Sequence, residues 1–147
     1  VLEPSAGKGD ILDAISERHP EANAEGIEPM SSLRSIIEAK GHKLAGRDVM
    51  EHSGEYDRVV MNPPFENGQD AQHVQKAYEM LKPGGRLVAV MSAGPFGRSD
   101  KKSAGFREWL DSMDHEADDL PEGSFAGSDA FRKTGVRTKL LTINKPA

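Results

Sequence analysis

The sequence predicts an α/β fold, a mostly parallel sheet with helices on both faces, and three observations carry that expectation. Short apolar runs alternate with stretches of helical periodicity, the pattern of βα units wound about a parallel sheet. A turn of small residues, Glu3-Pro4-Ser5-Ala6-Gly7-Lys8-Gly9, joins the first run to the first helical stretch. Acidic residues follow the second and third runs, at the strand ends where open parallel sheets bind their ligands.

In chain order, strands are expected at Val1–Glu3, Ala24–Glu28, Lys43–Ala45, Tyr56–Met61 and Arg86–Met91. Between them, Ile11, Leu12 and Ile15 form one helical stripe, and Leu33, Ile36, Ile37 and Lys40 form a second. A third helix runs from Ala71 to Leu81 and is stopped by Lys82-Pro83-Gly84-Gly85. The alternation then changes: a polar loop over Ser92–Ala104, a helix over Phe106–Met113, and a last, loosely period-two strand over Val136–Asn144. The acidic run from Asp111 to Asp119 reads as a solvated face, with a cation site as the alternative.

A chain of 147 residues has room for one domain with a true core, and 36% hydrophobic residues supply one. The absence of cysteine excludes a disulfide framework, a thiolate nucleophile and any cysteine-ligated metal site. No apolar stretch is long enough for a membrane helix and no signal peptide opens the chain, so a cytoplasmic enzyme is expected. Val1 stands where an initiator Met would, and an N-terminally truncated domain is expected. The net charge of −5 argues against a uniformly basic nucleic-acid binder. The acidity lies in the first part: residues 1–91 hold 10 Lys/Arg against 15 Asp/Glu, and residues 92–147 hold 9 of each. Phosphate contacts would have to come from local clusters, Arg98, Lys101, Lys102 and Arg107 or Arg132, Lys133, Arg137 and Lys139; solvated surface is the alternative reading of both.

The glycine turn lets a ligand approach the backbone, and the helix after it offers amide donors. A dinucleotide fingerprint needs a third glycine where this chain has Leu12, which disfavours a nicotinamide cofactor. Glu28 follows the turn by roughly 20 residues, the spacing at which a carboxylate meets ribose hydroxyls. Next to it are Pro29 and Met30, the latter a candidate to pack on a purine or to join the core. After the third strand, Asp48 offers an acceptor for an adenine amino group beside Val49; a helix cap is the alternative.

The most specific signal is Asn62-Pro63-Pro64-Phe65, directly after the fourth strand. Two prolines remove two amide donors and fix the backbone, leaving carbonyls that point away from the ladder. A carbonyl and an Asn side-chain oxygen make a clamp with two acceptors, and its natural ligand is an NH2 group.

With these motifs the chain resembles the class I S-adenosylmethionine-dependent methyltransferases, in particular the amino-methyltransferases that include DNA adenine-N6 enzymes. The resemblance implies a Rossmann-like sheet closed by an antiparallel C-terminal hairpin strand, and S-adenosyl-L-methionine as cofactor. It implies that Glu3, Pro4, Ser5, Ala6, Gly7 and Gly9 hold the methionine part, that Glu28 with Pro29 and Met30 meets ribose, and that Asp48 and Val49 meet adenine. Asn62 and the Pro63 carbonyl, with Pro64, would hold the target amine beside the cofactor, and Phe65 would stack on the target ring. Phe125 and Phe131 are further candidates to hold a flipped base or, alternatively, to support the hairpin as core. The expected partner is nucleic acid, DNA ahead of RNA. Competing readings are an RNA base, a protein glutamine amide, and a catalytically silent cofactor-binding module of the same fold. The five histidines have no ligand spacing, and no metal site is expected.

Overall fold

The computed structural model describes residues 1–121 and 137–147. Seven strands of the described residues form one sheet in the order β3-β2-β1-β4-β5-β7-β6: β1 (Leu2–Glu3), β2 (Glu25–Ile27), β3 (Lys43–Gly46), β4 (Tyr56–Met61), β5 (Leu81–Ser92), β6 (Asp114–Asp119) and β7 (Thr138–Asn144). The first five are parallel, and β7 runs antiparallel between β5 and β6. Four helices connect them: α1 (Asp10–Arg18), α2 (Ser31–Ala39), α3 (Gln69–Glu79) and α4 (Lys101–Asp111). The strand order reverses between β1 and β4, and the crevice beyond the carboxyl ends at such a switch point is where ligands of doubly wound sheets bind.

The period of two in the strands separates the two faces. Leu2, Val59, Leu87 and Ile143 lie side by side in register and are all fully buried. With Met61, Ala89 and Leu141 they pack against Val74 and Ala77 of α3 and Phe106 and Leu110 of α4. On β3, Leu44 instead joins Leu12 of α1 and Ile37 of α2, while its neighbour Ala45 packs with the larger cluster. Successive residues that serve different clusters put α1 and α2 on one face and α3 and α4 on the other.

Gly26 on β2 sets how closely α1 can lie on the sheet. A Cβ there would come 2.9 Å from Leu12 Cδ1 and 3.0 Å from the Ala6 Cβ. Leu12, the residue that breaks the dinucleotide fingerprint, is thus the apolar plug between α1 and β2.

Three boundaries differ from the sequence reading. The third helix ends at Glu79, and Leu81 already pairs with Tyr56 as the first residue of β5. The register then jumps to Arg58 opposite Arg86, because Lys82–Gly85 loop out with Gly84 at φ 82°. The helix expected at Phe106–Met113 begins at Lys101, inside the expected loop, because Asp100 caps it through the Ser103 amide at 3.1 Å. The acidic run contains a strand: β6 pairs with β7 along Asp114–Asp119, and Lys139 donates to Asp119 at 2.6 Å. Its low strand propensity hid it, and only pairing with β7 makes it a strand. The last strand begins at Thr138; Val136 lies outside the described residues.

Gly26→Ala is expected to lower the unfolding free energy by about 1–3 kcal/mol in urea denaturation. Combined with Leu12→Ala, which clears one of the two contacts, it should cost less than the sum of the single changes. Strict additivity would mean that the close approach carries no strain.

Candidate active site

The turn after β1 is held by its own strand ends. The Ala6 amide donates to the Ile27 carbonyl of β2 at 3.0 Å, and the Gly9 amide closes back on the Ala6 carbonyl at 2.9 Å. Gly7 takes a left-handed φ of 59°, and a Cβ on it would meet nothing within 4 Å, so its backbone faces open space.

Glu28 is the hub of the next layer. Its Oε1 accepts the Gly7 amide at 2.8 Å and its Oε2 accepts the Met30 amide at 2.9 Å. Arg34 of α2 donates one guanidinium nitrogen to both the Glu28 carbonyl (2.9 Å) and the Gly46 carbonyl (2.7 Å), which ties the ends of β2 and β3 together. Each carboxylate oxygen keeps acceptor capacity for a ligand. Asp48 caps the 3-10 turn Val49–Glu51 through the Met50 amide at 2.9 Å, so the cap reading of this residue holds.

Glu3, at the end of β1, is strongly perturbed. Burial pushes its carboxyl up to about 8, although the amides of Ser5 and Asn62 pull the other way. The Ser5 amide donates to Oε1 at 2.6 Å, whereas Oε2 is buried without a hydrogen-bond partner.

Asn62-Pro63-Pro64-Phe65 leaves β4 at the same sheet end, with Pro63 buried and Asn62 and Phe65 half-buried. Asn67 and Gly68 follow at φ 54° and 72°, a left-handed pair that turns the chain into α3. Asp70, fully buried in the first turn of α3, accepts the Ser92 amide at 3.0 Å and its hydroxyl at 2.7 Å. The start of α3 is thereby pinned to the end of β5.

A single cavity of about 1140 Å³ joins these parts. Its walls include Glu3–Gly7, Glu28 and Pro29, Asp48 and Val49, and Asn62–Phe65, which brings together most of the residues picked out by sequence. Gly9 and Met30 are not in the lining: a Cβ on Gly9 would face Ile37 and His42 instead, and Met30 is 57% exposed at the start of α2. Phe125 and Phe131 lie outside the described residues. Sequence reasoning missed His73, Ser92 and Ser103, which also line the cavity. The His73 Nδ1 is buried without a partner and burial lowers its pKa, against the pull of Asp48 and Asp70. Its signal was its place in the first turns of the helix that follows Asn62-Pro63-Pro64-Phe65.

The fold is that of the class I S-adenosylmethionine-dependent methyltransferases. Residues 5–98 match the Methyltransferase small domain family, and the chain belongs to it. Modification methylase CviBIII of Paramecium bursaria Chlorella virus NC1A is 31% identical over 70 residues, 44% of this chain and 19% of that protein. Ribosomal RNA small subunit methyltransferase C of Mannheimia succiniciproducens is 32% identical over 107 residues, 63% of this chain and 32% of that protein. The chain therefore spans less than a third of either relative in the part that matches. A Listeria monocytogenes protein assigned to the class I S-adenosylmethionine-dependent methyltransferases shares the fold at a TM-score of 0.73 and 18% identity, over 99% of this chain and 53% of its own. Among the described residues no helix is long and apolar enough to cross a membrane.

The residues present fit the cofactor. The unpartnered Glu3 Oε2 is an acceptor suited to an ammonium group, Gly7 leaves the backbone open, and Glu28 and Asp48 supply successive acceptors for hydroxyls and an amine. The volume exceeds the roughly 300–1,000 Å³ of ordinary small-molecule sites, as a site for both a cofactor and an acceptor should.

The raised Glu3 pKa has a stability consequence. Between about 4.5 and about 8 the folded chain keeps a proton that the unfolded chain releases, so stability falls as pH rises through that window. Glu3→Gln cannot ionise, and its thermal midpoint is expected to gain on the parent chain from the bottom to the top of that range. A difference between the two that stays flat with pH would exclude a neutral Glu3.

Proposed function

We propose that this chain transfers the methyl group of S-adenosylmethionine to an exocyclic amino nitrogen of a nucleobase, first among them N6 of adenine in DNA. The observation that carries this reading is Asn62-Pro63-Pro64-Phe65 in the wall of the cavity that also holds the Glu3–Gly7 turn. Bound S-adenosylmethionine supplies an electrophilic methyl group on a positively charged sulfur. The chain's own part is to prepare the nitrogen. An exocyclic amine is a weak nucleophile because its lone pair is delocalised into the ring. With one N–H directed to the Asn62 side-chain oxygen and the other to the Pro63 carbonyl, the nitrogen pyramidalises and its lone pair turns out of the ring plane. The same two oxygens face the positive charge that develops on nitrogen, and fixed dipoles need no reorganisation as it grows. The Asp70–Ser92 bonds fix the start of α3, into which the loop runs, against the end of β5.

Phe65 at the cavity wall supplies an aromatic face for a planar heterocycle, which favours a base over a glutamine amide. A base in a duplex must first be flipped out, at a cost of a few kcal/mol. Two relatives support a nucleic-acid acceptor, one a modification methylase and one a ribosomal RNA methyltransferase. The latter matches over the longer stretch, 107 residues against 70, and makes an RNA base the second reading.

Incubation with labelled S-adenosylmethionine and unmodified DNA and RNA, followed by mass identification of nucleosides, is expected to yield N6-methyladenine from DNA. Label in RNA bases alone would replace DNA by RNA, and label in neither would remove the nucleobase reading. Asn62→Ala is expected to cut turnover about 10²-fold or more, the usual loss of one polar group that faces developing charge, with S-adenosylhomocysteine still bound. Turnover equal to that of the parent chain would eliminate the clamp.

A further inference from the structure

The cavity has a wall to which the cofactor turn and the amine clamp contribute nothing. It is the segment from the end of β5 to the start of α4, where Ser92, Pro95, Arg98, Lys102 and Ser103 line the same space as Asn62 and Phe65. Its balance of charge differs from that of the cofactor side, where Lys8 and Arg47 stand among Glu3, Asp10, Glu28 and Asp48. There, Glu28 and Asp48 are occupied by backbone amides and Glu3 is buried. Here, Arg98 and Lys102 are exposed, and among the described residues neither side chain makes a hydrogen bond or an ion pair. The nearby carboxylate, Asp100, is committed to α4: it accepts the Ser103 amide at 3.1 Å and the Ser103 hydroxyl at 2.8 Å.

The wall is also built. Arg107 reaches back from α4 to the Pro95 carbonyl at 3.1 Å, which fixes the 3-10 turn Gly94–Phe96 against the helix. The Arg98 guanidinium packs against that turn, so close that a Cβ on Gly94 would come 3.0 Å from Arg98 Cζ. Glycine at 94 is what lets the guanidinium settle there.

We infer that, given the nucleobase acceptor proposed above, Arg98 and Lys102 bind the phosphates that flank the target nucleotide. A base delivered to Asn62 brings its sugar and phosphates with it. Glu28 and Asp48 on the cofactor side repel that backbone, and Arg98 and Lys102 on the opposite wall attract it. Arg presents a planar fork to a phosphate and Lys a point charge, and the two together hold one strand without reading its sequence. This local rim reconciles a polyanionic substrate with a chain of net charge −5.

The test measures binding of a fluorescent single-stranded oligonucleotide to the full chain with S-adenosylhomocysteine present. The Arg98→Glu/Lys102→Glu pair is expected to weaken binding about tenfold or more and to lower the slope of log K against log salt by about 1.4, from two contacts at about 0.7 each. Arg98→Gln/Lys102→Gln should show the same slope change with a smaller loss of affinity. A pair of equal charge change away from the cavity, Arg18→Glu/Lys43→Glu, should leave the slope near that of the parent chain. Gly94→Ala, which displaces the guanidinium, should weaken binding in the parent chain and have no effect once Arg98 is Gln. Retained S-adenosylhomocysteine affinity in the Gln pair keeps the comparison on a folded protein. Parental affinity and slope in the rim variants, or an equal loss in the distant pair, would overturn the rim. Methyl transfer to free nucleosides separates the two levels. A parent chain that methylates a nucleoside while its oligonucleotide binding ignores the rim substitutions keeps its chemistry and loses the rim; transfer to neither substrate removes both.

Discussion

The site depends first on a carboxylate set at the end of β1, away from water. Glu3 is 1% exposed, and its side chain lies between the turn that follows β1 and the loop that follows β4. Burying a carboxyl costs free energy unless it is neutral or well bonded, and only one of its oxygens has a partner. A site that keeps such a group is poised for a cationic ligand, because a positive charge at Oε2 would repay the desolvation that the empty chain bears. The same residue couples two loops, through the Ser5 amide on one side and the nearby Asn62 amide on the other.

Around that group the chain uses backbone contacts more than side-chain pairs. The Gly7 amide reaches Glu28, the Ile27 carbonyl receives Ala6, and Arg34 ties the ends of β2 and β3 by their carbonyls. Such ties hold strand ends at fixed spacing while leaving the cavity surface to the ligand. On the far side, Asp70, a buried carboxylate in the first turn of α3, receives the amide and hydroxyl of Ser92 at the end of β5. The close packing of Leu12 on Gly26 leaves no room for a side chain at position 26 between α1 and the sheet.

The parallel half of the sheet was legible because each of its strands carries its own apolar run and ends in a turn with its own chemistry. Glu3, Glu28, Asp48 and Asn62 were found by their position just past those runs, and all four line one cavity. Met30 is not a core residue, because position in sequence does not fix side-chain direction; its amide donates to Glu28 while the residue is 57% exposed. Gly9 serves packing against α2 and the turn before β3, a contact distant in sequence. β6 was hidden because its residues favour solvent and become a strand only when β7 supplies a ladder, and no local pattern reports a partner that follows later in the chain. The early start of α4 was hidden for a smaller reason: one Asp carries the cap and no apolar stripe marks the first turn.

The two borders of the sheet are unequal. β3 ends one border with four residues, whereas β6 ends the other with six, among them Asp114, Glu116, Asp118 and Asp119. An open border is a template on which any extended peptide can continue the ladder, a second copy of the same chain included. Along β6 the same strand of a second copy meets a row of like charges, of which, among the described residues, Lys139 pairs with Asp119. Stray growth of the sheet at that border is therefore opposed by Coulomb repulsion, and the residues that seemed merely solvated act as its guard.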